Sequence, residues 1–160
     1  AAQIQASMDV VPDDRRRASL RASRTTYSDG NRRHRWQLEA EQRVLEALQV
    51  WLGWRHTRLD FTRPGQPGYH NPANYHANEL LLRAGGALGP ALHWNLRWAL
   101  GRESEQPGGA RPIRSGGASL SWSASERLAL ELAYDHSTSR TLAVGGFERG
   151  IVRVSLRYRH

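Results

Sequence analysis

Seven histidines, two closely spaced glutamates and an Asp-His pair are the residues whose types could do chemistry in this chain. His34, His56, His70, His76, His93, His136 and His160 invite a search for a metal or a general base, but most fall in connections or at the ends of alternating runs. His70 and His76 flank Asn71-Pro72-Ala73-Asn74-Tyr75 with no companion carboxylate at ligand spacing, the pattern of solvated loop histidines rather than of a metal site. Asp135 and His136 with a serine would have the composition of a Ser/His/Asp site, yet nothing marks a nucleophile. Glu39 and Glu41 share one face of an extended segment and could work as paired carboxylates, or form a ladder of ion pairs. No catalytic residue, cofactor or metal is expected, and the chain is not read as an enzyme.

What the sequence does supply is a polar face of mixed charge. In extended segments alternate side chains point to opposite sides, which puts Arg35, Glu39 and Arg43 on one face, followed by Trp51 and Arg55, then Arg83. His93, Arg97, Glu131, Asp135 and Arg153 continue it. These residues are the candidates for lining a pore and meeting its solute, with Trp51 able to stack on a sugar ring. Charges lining a pore set its selectivity. Interlocking salt bridges that plug a narrow barrel are the structural alternative.

The segments that would position them alternate strictly. Trp36, Leu38 and Ala40 lie opposite Arg35, Gln37, Glu39 and Glu41; Leu48, Val50, Leu52 and Trp54 oppose Gln49, Trp51, Gly53 and Arg55. The clearest run sets Leu92, Trp94, Leu96, Trp98 and Leu100 against His93, Asn95, Arg97 and Ala99. Leu128, Leu130, Leu132 and Tyr134, then Val152, Val154, Leu156 and Tyr158, form a last hairpin ending at His160. One stretch is ambiguous: Trp36, Ala40, Val44 and Leu48 also fit a helical stripe, and the turn near Leu45 to Ala47 carries no Gly or Pro. Strands are preferred because the flanking segments are strands.

Connections alternate in length. Tight turns are expected near Pro12, Glu46, Pro90 and Glu126, and mostly longer polar ones near Asp29, Gln66, Gly108 and Thr141, including long links over Thr62–Asn78 and Arg102–Ser115. Short periplasmic turns alternating with longer external loops, on strands of about ten residues, are the pattern of outer-membrane barrels. Trp36, Trp54, Trp98 and Tyr134 read as one aromatic girdle on the long-loop side, and Trp94, Trp122 and Tyr158 as the other. The arginines are expected on the polar face, with Arg24 the exception. All 23 basic residues are Arg and the net charge is +8, but the excess is threaded between apolar residues, unlike a nucleic-acid patch. Mean hydropathy is −0.67; no apolar run approaches the roughly 18 residues of a membrane helix. There is no Cys.

The fold class expected is therefore all-β, an antiparallel up-and-down transmembrane β-barrel domain over residues 1–160 with about eight or nine strands in the chain. A soluble sandwich with the apolar face inward is the rival. Because complete bacterial barrels have even strand numbers, and Ala1 lacks an initiator Met, the chain reads as the C-terminal part of a larger barrel.

Gly68-Tyr69-His70-Asn71-Pro72-Ala73-Asn74-Tyr75 resembles the Tyr-x-Asn/Ser-Pro-x-x-Tyr segment in the C-terminal barrels of bacterial exopolysaccharide-export outer-membrane porins of the poly-N-acetylglucosamine and cellulose export types. The run from Glu126 to His136, then Val152 to His160, looks like their last hairpin. The resemblance implies a bacterial outer-membrane location, a polysaccharide as solute in biofilm formation, and outer-membrane lipid as surroundings. It also implies upstream barrel strands, upstream periplasmic helical repeats and an inner-membrane synthase complex as partner. The basic polar face leaves the polymer open.

Overall fold

The computed structural model describes residues 1–67, 70–106, 108–125, 127–138 and 149–158, and they form nine antiparallel strands in one sheet. These are β1 (Ala2–Asp13), β2 (Arg16–Thr26), β3 (Arg32–Leu45), β4 (Val50–Phe61), β5 (Ala73–Ala87), β6 (Leu92–Gln106), β7 (Gly109–Ser123), β8 (Leu128–Ser137) and β9 (Arg149–Tyr158). Every strand pairs with its neighbour in sequence, an up-and-down meander. Among the described residues β1 is bonded only to β2 and β9 only to β8, so both outer edges keep unpaired backbone groups.

The segment that could have been a helix is strand, turn, strand. Its turn, 46–49, needs a residue in the left-handed region, and Gln49 supplies it at φ 44° while its N–H donates to the Glu46 carbonyl at 3.0 Å. Asn74, at φ 51°, is the other non-glycine residue in that region among the described residues, and at the Gly89 turn glycine does this work with φ 78°.

Two expected long connections are shorter than their composition suggests. β5 begins at Ala73, so the first link is 62–72 rather than Thr62–Asn78. The second is not a loop: Glu103 pairs with Arg111 and Glu105 with Gly109, leaving only 107–108 between β6 and β7. Pro112 can sit in β7 because β8 begins pairing only at Ser115, so this part of β7 has a described partner on one side alone. The longer β6 also moves Trp98 towards mid-strand, and Trp54 lies near the Val50 start of β4, by the tight turn. The long-connection girdle thus reduces to Trp36 and Tyr134. Gly68, Tyr69, Glu126, the link around Thr141 and the terminal His160 lie outside the described residues.

Burial separates the two faces in an inverted sense. Odd-numbered positions carry the charge, yet they include the most enclosed side chains: Glu39, Glu41, Glu79 and Glu103 are buried, the last to 2% exposure. Even-numbered positions carry the leucines and tryptophans, which stand open: Leu80 is 70% exposed, Trp98 51% and Leu156 71%. A sheet one layer thick encloses one face only by curling, so the charged face is the inner one. The sandwich reading required a second sheet over the apolar face, and the described residues form a single sheet.

An apolar face this large needs a cover. If lipid is that cover, Leu80→Arg, at the middle of β5, should destabilise the folded protein by about 2–4 kcal/mol in urea titrations from phosphocholine vesicles; a change within about 0.5 kcal/mol would mean that the site faces water.

Candidate functional site

Every candidate from the polar alternation sits at an odd position, hence on the inner face: Arg35, Glu39 and Arg43 on β3, Trp51 and Arg55 on β4, Arg83 on β5, His93 and Arg97 on β6, Glu131 and Asp135 on β8, Arg153 on β9. The structure brings part of this set together as a ladder. Glu39 and Arg55 face each other in register and bond at 2.8 Å, and Arg55 reaches Glu79 of β5 at 3.6 Å. Arg83 bonds Glu39 at 2.5 Å and Glu41 at 2.9 Å, and Arg17 of β2 closes on the other Glu41 oxygen at 2.6 Å. Three guanidinium groups and three carboxylates thus join four strands. At these depths charges must be paired or they cost several kcal/mol each.

Two glycines permit the longer reaches. Arg83 and Glu41 stand on either side of β4, and between them lies Gly53, where a Cβ would come within 2.5 Å of Glu41 Cγ. Arg97, Gly117 and Asp135 share one row across β6, β7 and β8; Arg97 bonds Asp135 over the glycine, and any side chain at Gly117 would collide with the Asp135 carboxylate. Each glycine is a window through which a charge pair spans an intervening strand.

Beside the ladder an open cleft of about 410 Å³ is lined by Arg55, Arg83, Arg97, Asp135, Ser115 and Arg149, among others. Glu131 and Arg153 line a smaller recess of about 80 Å³ with Arg97 and Asp135. His93 stands exposed at the tight-turn end, and Arg35 donates to Gln37 at 2.8 Å. Arg43 is held by Asp14 of the β1–β2 turn at 2.5 Å. The Trp51 ring lies against arginine: the Arg17 guanidinium carbon is 4.2 Å from its ring centre and that of Arg43 is 5.8 Å away.

At the long-connection end the inner face closes in. Leu59, Tyr75, Ala77 and Ile113 form an apolar collar, with Tyr75 Oη donating to Glu103 at 2.8 Å and Arg111 Nε donating to the other Glu103 oxygen at 2.5 Å. The 62–72 connection is anchored there. Buried Asn31 accepts from the Arg63 N–H at 3.0 Å and donates to the Arg63 carbonyl at 2.8 Å, while His70 Nε2 lies 3.2 Å from Glu105 of β6. His70 therefore has a carboxylate companion after all, one distant in sequence.

Sequence reasoning missed Glu103 and Arg111 because they fall in a stretch read as a loop, and Glu79 because the strand was read from Leu80, although their odd-position parity continues that of the neighbouring runs. The hydrolytic alternatives are not assembled. Asp135 points inward to Arg97 while His136, the next residue in β8, occupies the opposite face, and Glu39 and Glu41 are each ion-paired to two arginines.

Arg55→Met should cost about 3 kcal/mol in chemical unfolding, since it strands Glu79 and removes one of two cations from Glu39. Adding Glu39→Gln and Glu79→Gln to the same chain should recover most of that loss. Absence of recovery would mean that Arg55 acts through packing alone.

Sequence comparison matches no protein-family model and no curated protein. A comparison with solved structures matches one described as a bacterial polysaccharide outer membrane secretin, with a TM-score of 0.73 and 18% sequence identity. The alignment covers 98% of this chain and 56% of the other, so this chain spans about half the length of that neighbour. At this identity the likeness shows the fold alone: the nine-stranded antiparallel meander is shared with that structure.

Proposed function

We propose that the chain forms part of the wall of a bacterial outer-membrane barrel enclosing a hydrophilic conduit for polysaccharide export. The observation that carries this reading is the inversion of burial, with glutamates enclosed, the arginines paired to them half-buried, and leucines and tryptophans bare, the arrangement of a strand wall between water and lipid. The fold shared with a polysaccharide outer membrane secretin supports it. Coverage of about half of that neighbour, together with the unpaired edges of β1 and β9, supports additional strands completing the wall. The sequence resemblance adds the finer elements of the proposal: an exopolysaccharide porin of the poly-N-acetylglucosamine or cellulose export type, upstream helical repeats and an inner-membrane synthase. Arg149, Arg153 and Arg157 have no carboxylate within ion-pair distance among the described residues, so the inner face favours a neutral or anionic polymer over a cationic one.

A second reading has its own observation. The Arg–Glu ladder crosses four strands on the inner side with as many carboxylates as guanidinium groups, which suits a plugged barrel serving as anchor or adhesin.

Two measurements separate these readings. Unheated, detergent-folded protein should migrate differently from the boiled sample on a gel; recovery as a soluble species without detergent would overturn the membrane reading. In planar bilayers Arg97→Glu should shift ion selectivity towards cations if the conduit is open, and should leave conductance unchanged at its basal level if the barrel is plugged.

A further inference from the structure

The arginines are not confined to the inner face. Arg24 on β2, Arg32 at the start of β3, Arg58 on β4, Arg102 on β6 and Arg114 on β7 occupy even positions, the apolar face, and all five are exposed. Arg24 was the one expected there; the other four come into view because β3, β4, β6 and β7 extend further towards the long connections than their hydrophobic runs do. All five lie towards the end carrying 27–31, 62–72 and 107–108. At the opposite end the same face presents Val44, Leu52, Leu88, Trp94 and Trp122, with Arg16 the single strand arginine.

This belt is under-neutralised. Asp60 is the one acidic strand residue on that face near it, and it is bonded to Arg58 at 2.9 Å. Arg24, Arg32, Arg102 and Arg114 have no carboxylate partner among the described residues. Register keeps the belt continuous: Arg24 faces His34, Arg58 lies between Trp36 and His76, and Arg102 pairs with Pro112, diagonal to Arg114. Neighbouring strands lie about 4.8 Å apart, so Arg102 and Arg114 stand on adjacent strands within reach of one phosphate, while Arg24, Arg32 and Arg58 form a second group on β2, β3 and β4. Trp36 and Tyr134 stand on the apolar side of the belt at about half exposure, 51% and 48%.

We propose that this belt binds the phosphate groups of a phosphorylated glycolipid headgroup in the leaflet that meets the long-connection end. The proposal rests on the membrane reading given above. Arginine forks suit phosphate oxygens in bidentate geometry, and basic residues beside a membrane-embedded apolar surface are drawn to anionic headgroups. The sidedness of the charge argues for a lipid. Ions in solution would reach both ends of the wall, whereas an asymmetric bilayer presents its phosphorylated sugars at one.

The test uses the full-length protein in a neutral detergent, with an acylated glucosamine disaccharide bearing two phosphates as probe and retention read by native mass spectrometry. The phosphorylated form should be retained and its dephosphorylated counterpart released. The variant R24Q/R102Q/R114Q should bind the probe at least about tenfold more weakly, while R16Q, at the other end, should bind as the parent does. Equal retention of the two lipid forms would overturn the proposal, as would undiminished binding by the triple variant. Displacement of the glycolipid by an equal concentration of inorganic phosphate would overturn it too, in favour of a site for free anions. The comparison of the two lipid forms needs no variant, so it stands even if the triple substitution misfolds. Heat-modifiable migration, run in parallel, separates failure of the membrane reading from failure of lipid recognition.

Discussion

A β-sheet one layer thick has no interior of its own, and that constraint governs the rest of this structure. Each face must find a partner outside the sheet or within its own curl. The apolar face finds none among the described residues and is left to its surroundings. The polar face, enclosed by curvature, must satisfy its charges among its own side chains, because a buried carboxylate without a cation is far more costly than an exposed one. Glu39, Glu41 and Glu79 meet this demand through Arg17, Arg55 and Arg83.

Steric room on the curled face is the second requirement that follows. Side chains converge on an inner surface, and arginine is long; a full complement of large residues would collide. Gly53 and Gly117 relieve this at the two places where a pair crosses an intervening strand, and Ser115, Ser119 and Ser121 keep β7 low beside the cleft. On the outer face the crowding disappears, and tryptophan and leucine fill it.

Much of this was legible from alternation alone. The nine strands, their order and the common face of Arg35, Arg55, Arg83 and Arg97 all follow from a period of two. The strand ends were not legible. Gly, Pro and Asn near Asn71 and Pro112 signal loops by composition, but in β7 the proline lies where one neighbouring strand has not yet begun, and in β5 the strand starts directly after Pro72. Misjudged ends then hid Glu79, Glu103 and Arg111 from the inner face and four arginines from the outer one. The surroundings of Trp51 were hidden for another reason: a list of residues does not show that Arg17, two strands away, lies over its ring. The turn at Gln49 illustrates the same limit, since a left-handed glutamine carries no compositional mark.

The sequential meander has a consequence for how such a wall can be built correctly. All its pairings join neighbouring segments, so strands can be added one after another with little loop-closure cost. Yet a slip of a single residue would reverse the faces of the incoming strand. For β4 that error would turn Arg55 outward and Trp54 inward, leaving Glu39 and Glu79 stripped of their shared cation at one stroke. The ion-pair ladder therefore works as a parity check on assembly: each new strand is accepted in the one alignment that balances the charges already laid down.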